Sequence, residues 1–408
     1  MCLENSRADT SKTEVKSKMD TGKKIAVAAI SIVLILLAVG MAYYGYKLDQ
    51  VEEQVFDVPW GLDVVGYTFF ALMATGSSIV NSVYTIFGYN GPNGEYKKII
   101  KYGVWFSLST IFSAWLLVLL GIYKPFDFYY ILLFFRLSSR IAWMAAFYSF
   151  FALMLVIELL YMILVESWDL LKKIKYLELA IAILVLIATI AVHSNLGEVF
   201  GSLISMPAWY GPWLALYFIM SAIMLGAAGQ SLFIYVVKHK DSNLKAFMSR
   251  YYSEVYLISI PVYLMYLTWI IISAWYSRET VWPVYQTLLF GSEAAIFWGV
   301  EMVLGIFIPV ALAVYGYMKK SSWAAITAAV LLIIGGFMSK YSLIILPQEL
   351  RPYVWLTLQI SSYSYFPPTG LLMMFIGACI LWPSLYALGA LIFPLEEGEK
   401  AKHFWIFK

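Results

Sequence analysis

Histidine and cysteine are almost absent, at three and two residues in a chain of 408. Cys2 and Cys379 are too few for the thiolate ligands of an iron–sulfur cluster and, placed in an N-terminal arm and a last apolar run, do not suggest a disulfide. Only His193 falls at membrane depth, while His239 and His403 lie in charged stretches. A transmembrane b-type haem usually needs two such histidines, so neither haem nor cluster is expected in this chain, and any cluster must belong to a partner. Charged residues make up only 13%, too few to solvate a soluble globule of this length. No glycine-rich nucleotide loop, metal-ligand cluster or nucleophile elbow is present, which argues against group-transfer chemistry.

Apolar residues dominate instead, at 62% of the chain and a mean hydropathy of +0.77. Runs of about 20 apolar residues, the length that crosses a bilayer, begin near Ile25, Leu62, Tyr102, Ile141, Leu177, Trp213, Val255, Ala294, Trp323 and Pro368. None alternates in the manner of a barrel strand. Backbone groups in lipid must be satisfied within the segment, so the fold class is all-α: a polytopic membrane protein of ten transmembrane helices. Of the 28 Lys and Arg residues, 21 fall in the N-terminal segment, in every second loop and at the C-terminus. That bias places both termini in the cytoplasm of a multi-pass cell-membrane protein. Residues 1–24 read as a disordered cytoplasmic arm. The run at 25–46 is too long and lacks a cleavage site for a signal peptide, so it is expected to stay as the first helix. Residues 367–393 form the last helix and 394–408 a cytoplasmic tail.

Pro59-Trp60 and Gly76-Ser77-Ser78 recur as Pro212-Trp213 and Gly229-Gln230-Ser231, each pair 153 positions apart. An even number of helices per copy keeps both copies in one orientation, so two parallel-related four-helix bundles are expected, at 57–193 and 213–346, with the first and last helices peripheral. The intervening 194–212 reads as an outer amphipathic segment, a short surface helix closing over His193.

Ionisable groups within spans are costly and so are functional candidates. Near the outer surface are Asp63, then His193 with Asn195 and Glu198, then Glu293; deeper lie Glu301, Glu158 and Lys340. A lone imidazole beside carboxylate and amide groups suits a proton-coupled, lipid-soluble carrier such as a quinol. It also suits a histidine that merely ends a helix. Glu293 and Glu301, eight positions apart, share a face of an α-helix and could line a proton path. Glu301 and Lys340 could equally be a structural ion pair. Trp209, Tyr210 and Tyr67 are aromatic candidates for stacking on a quinone ring.

The order of several loose motifs resembles the NrfD/PsrC family, the membrane subunits of polysulfide-reductase-type complexes. These are Trp60-Gly61-Leu62, His193 with Gly197 and Phe200-Gly201, Trp209-Tyr210-Gly211-Pro212 leading to Ser221-Ala222 and Gly226, Lys340-Tyr341 with Pro347-Gln348, and Tyr365-Phe366-Pro367-Pro368. Ten helices and the stretches Lys47 to Gln50 and Asp57 to Trp60 look most like the DsrP-type subunit, also described as part of an Hdr-like menaquinol-oxidising complex. The chain departs from the commoner pattern with Lys340 for Arg and Gly370 for Glu. The resemblance implies a subunit without its own redox centre that exchanges electrons between menaquinol and an extracytoplasmic, ferredoxin-like iron–sulfur partner. Asp63, His193, Asn195 and Glu198 would bind the quinone, and Glu293, Glu301, Glu158 and Lys340 would move protons. An ion or solute transporter, or a passive anchor for a peripheral reductase, are the competing expectations.

Overall fold

Each apolar run folds as a helix, because only helical hydrogen bonding satisfies a backbone removed from water. The computed structural model describes residues 21–51, 58–122, 124–174, 176–238, 240–277, 281–350 and 365–398. The arm at 1–20, Cys2, His239, His403 and the tail beyond 398 lie outside them. Ten helices among the described residues are long and apolar enough to cross a membrane. They are α1 (Thr21–Asp49), α2 (Leu62–Ile86), α3 (Lys97–Gly121), α4 (Arg140–Ser167) and α5 (Leu177–Gly201). Then follow α6 (Trp213–Val237), α7 (Ser242–Tyr276), α8 (Ile296–Lys319), α9 (Ser322–Glu349) and α10 (Thr369–Ile392). No strand occurs among the described residues. Two helix starts are capped: the Ser139 hydroxyl accepts from the Ala142 N–H at 3.2 Å, and the Asp241 carboxylate from the Leu244 N–H at 3.0 Å.

The helices pack as two rings of four. In one, α2 touches α3, α3 touches α4, α4 touches α5, and α5 returns to α2; α6 to α9 close in the same order. Helix α1 lies against α10, which packs on α3. The rings meet mainly where α2 crosses α6, and the contacts there are reciprocal under the 153-residue offset. Gly76 abuts Gly226 while Gly229 abuts Met73, and the Ser77 hydroxyl donates to its repeat counterpart, the Gln230 amide oxygen, at 2.7 Å. Small residues at such a crossing let backbones approach closely, which is how helices gain packing energy where lipid supplies no hydrophobic drive.

Two features depart from the sequence reading. Helix α5 does not end near His193 but runs to Gly201. Leu196, Gly197 and Phe200 continue its buried face, with Gly197 against the Ala215 backbone, so burial carries the helix two turns further. The remainder, to Pro212, is turns rather than a surface helix, and it tucks Met206 and Trp209 inward. Second, α8 opens as a π-helix over Ile296–Phe307, where the Ile308 N–H donates to Val303, five residues back. Pro309, without an N–H, ends the wide turns. Such windings cluster at functional sites.

Candidate functional site

Polar side chains gather about two turns inside the end of the bundle that carries Trp60. On α9, Ser339 and Ser342 are three apart and share a face. The Ser342 hydroxyl donates to the buried Glu301 carboxylate on the π-turns of α8. Ser339 joins two phenols, Tyr217 of α6 at 2.6 Å and Tyr263 of α7 at 3.0 Å, which themselves stand 3.3 Å apart. Glu301, Ser339, Ser342 and Tyr217 are polar points on a cavity otherwise walled by apolar residues such as Leu267, Ile270, Leu288, Phe297 and Leu346. Water-sized molecules fit over about 40 Å³ of it, enough for about three or four at roughly 10–15 Å³ each. The short helix Trp282–Phe290 closes one side with Val284, Tyr285 and Leu288. Burial pushes the Tyr285 phenol up from its usual range, so it stays protonated and can donate.

Behind Tyr217 sits Lys340, fully buried, its Nζ 4.1 Å from the centre of the Tyr217 ring. Such a cation–π contact is stabilising, yet the Nζ has no hydrogen-bond partner, and neither do the two ring nitrogens of buried His193. Lys340 lies within electrostatic range of both His193 and Glu301. A neutral imidazole carries one N–H donor and one acceptor nitrogen, and an amine carries donors only, so this neighbourhood offers hydrogen bonds of both kinds.

A second, more open cavity of about 290 Å³ lies next to the first, lined by Pro59, Trp60, Met206, Trp209 and Gln348 among others. Trp60 and Trp209 stack with centroids 5.2 Å apart, and Phe200 meets both edge-on. Gln348 fixes Trp60 by accepting from its N–H at 3.0 Å and donating to its carbonyl at 2.9 Å. The Trp209 indole donates to the Leu343 carbonyl at 2.8 Å. Gln348→Leu is expected to free two backbone groups of Trp60 and lower stability by about 1–3 kcal/mol. The thermal midpoint in detergent measures it, and an unchanged midpoint would count against the clamp.

The expected site residues do not form one group. His193 lies with Lys340, and Glu301 shares their neighbourhood. Glu198 is exposed and pairs with Arg140 at 2.8 Å, and five residues along a helix turn it about 140° from the face that carries His193. Asn195, about 200° round, also points away from that face, its Oδ1 buried and unpartnered. Asp63 sits in the first turn of α2 against Gly121 of α3, within range of Asp49 and Tyr365 rather than beside His193. Glu293 is half-buried before α8, in range of Glu301 and Glu349. Glu158 is buried near the opposite end, with one carboxylate oxygen unpartnered and Glu178 and Tyr96 in range.

The expected Glu301–Lys340 ion pair is absent. Residues 340 and 342 lie on opposite sides of α9, so Ser342 meets Glu301 while Lys340 reaches α6. Of the aromatic candidates, Trp209 joins the stack, Tyr67 packs on Tyr148 and Tyr210 is exposed. Tyr217, Tyr263, Ser339 and Ser342 escaped the sequence reading. The Ser339/Ser342 spacing on one helix face was the available signal.

A bundle of ten span-length apolar helices that gathers an amine, an imidazole and a carboxylate toward one end is an integral membrane protein. A family profile, "Polysulphide reductase, NrfD", matches residues 50–350, and the chain belongs to that family. It is 22% identical over 331 residues to a selenate reductase subunit of Mesobacillus selenatarsenatis, covering 72% of this chain and 75% of that protein. It is 24% identical over 332 residues to a putative dimethyl sulfoxide reductase membrane subunit of Halobacterium salinarum, covering 75% and 74%.

Proposed function

We propose that the chain is the quinol-binding membrane subunit of a respiratory oxidoreductase. Menaquinol is the expected carrier, and electrons pass from it to a ferredoxin-like iron–sulfur subunit on the extracytoplasmic face, at the Trp60 end, in sulfur-type anaerobic respiration. The Glu301 cavity carries this reading: apolar walls with a few convergent hydroxyls and one carboxylate suit a hydrophobic ring bearing hydroxyl groups. Kinship to subunits of a selenate reductase and a dimethyl sulfoxide reductase supports work within a multi-subunit complex.

Bound quinol supplies two electrons and two protons. Glu301, oriented by Ser342, is the proton acceptor, and Tyr217 and Ser339 hydrogen-bond the head group. Glu293, toward the mouth and in range of Glu301, passes protons to water. Lys340 lies behind Tyr217 with His193 nearby, and both offer N–H donors there. At about 40 Å³ the cavity takes water rather than a ring, so binding requires the wall formed by Trp282–Phe290 to move outward. Asp63, Asn195 and Glu198 stand outside this cavity, and Glu158 would serve a separate proton route from the other end.

Purification of the complex from native membranes tests the reading through its co-purifying subunits and extractable quinone. Menaquinone with an iron–sulfur subunit is expected; a chain that purifies alone and without quinone would favour a transporter. In the assembled complex, His193→Ala is expected to slow quinol oxidation at least about tenfold by removing an N–H donor near Lys340, behind Tyr217. Unchanged turnover would sink that role.

A further inference from the structure

We propose that residues 125–137, between α3 and α4, lie within the interfacial layer of the bilayer leaflet at the Trp60 end, covered by phospholipid. The segment is a 3₁₀ turn Pro125–Asp127 and a single turn Tyr130–Leu133, yet it presents large apolar side chains outward. Phe126 is 79% exposed, Phe134 72% and Leu137 77%. In water that exposure is unfavourable, and contiguous patches of this kind mark a covered surface.

Several observations select lipid as what covers it. The patch is continuous with a lipid-facing surface: Leu137 leads into Ile141, Leu153 and Leu160, all exposed on the membrane span α4. Its composition is that of an interfacial belt, with Tyr129 and Tyr130 paired at 4.6 Å between centroids among the phenylalanines. The segment is also tied down at membrane level, since the Trp143 indole on α4 donates to the Leu137 carbonyl at 2.9 Å and Phe135 packs on the Trp143 ring. Finally, exposed Lys124 and Arg136 bracket the apolar stretch. Long cationic side chains at the two ends of a shallowly inserted segment can rise to phosphate groups while their stems stay in the apolar boundary.

The test is a nitroxide at Phe134→Cys, with Cys2→Ser and Cys379→Ser, in the complex purified with its native subunits and reconstituted in liposomes of phosphatidylcholine and phosphatidylglycerol. Power saturation compares relaxation by oxygen, which concentrates in lipid, with relaxation by a water-soluble nickel chelate. Ile141→Cys and Asn90→Cys provide the lipid and water references, and Leu133→Cys replaces Phe134→Cys if that variant does not fold. The expected result is preferential relaxation by oxygen, as at Ile141, whether or not peripheral subunits are then stripped off. Nickel access as at Asn90 would overturn the proposal. So would shielding from both agents that is lost when the peripheral subunits are removed, because it would make the segment a protein contact.

Discussion

Glu301→Gln is expected to cut quinol oxidation by at least about a hundredfold in the assembled complex, the scale of a lost general base, with the protein still accumulating in the membrane. The amide keeps the size of the carboxylate and can still take the Ser342 hydrogen bond, so the change removes proton acceptance while leaving the packing between α8 and α9 in place. Ser342→Ala, which only frees the orientation of Glu301, should cost less, about tenfold. Asp63→Asn is the informative control, because Asp63 faces Gly121 rather than the cavity and its loss should leave turnover nearly unchanged. Quinol-dependent reduction of an acceptor by the purified complex measures all three. Full turnover with Glu301→Gln and a collapse with Asp63→Asn would move the site to the first ring.

Gly76→Leu is expected to prevent stable folding, a loss of more than about 3 kcal/mol, at or beyond the upper range for overpacking. Even a single Cβ at Gly76 would lie 1.7 Å from the Ala222 carbonyl oxygen, and one at Gly226 would lie 2.0 Å from the Ser77 nitrogen. Backbone cannot yield as a flexible side chain does, so α2 and α6 would have to separate and the joint between the two rings would open. Gly40→Leu is the matched control, since nothing lies within 4 Å of a Cβ there. Monodisperse yield after detergent extraction and the thermal midpoint report the outcome. A Gly76→Leu protein as stable as Gly40→Leu would show that the crossing tolerates separation.

Glu301 and Lys340 were legible as candidates because ionisable residues stand out in apolar runs, but their partners were not. A serine or tyrosine inside a span is common enough to carry no signal alone; Ser339 and Ser342 became functional candidates only when α9 turned them toward Tyr217 and Glu301. The Glu293–Glu301 face was read on α-helical spacing, whereas the chain winds wider from Ile296 onward. His193, Asn195 and Glu198 looked like one cluster because they are close in sequence. On a helix that continues to Gly201, closeness in sequence scatters side chains around the axis.

The ten spans, the all-α class and the repeat follow from sequence alone, for a physical reason. A backbone in lipid has no solvent to hydrogen-bond, so hydropathy and length leave one local structure open to each run, and a repeated pair of motifs carries its offset unchanged into the fold. Hydropathy does not fix how each helix is rotated about its axis. That rotation was decided by tertiary contacts: the close approach of Gly76 and Gly226, the π-turns around Glu301 and the buried face that extends α5. It is rotation that separates Asp63 and Glu198 from His193 and gathers Glu301, Tyr217, Ser339 and Lys340 about one end of the second ring.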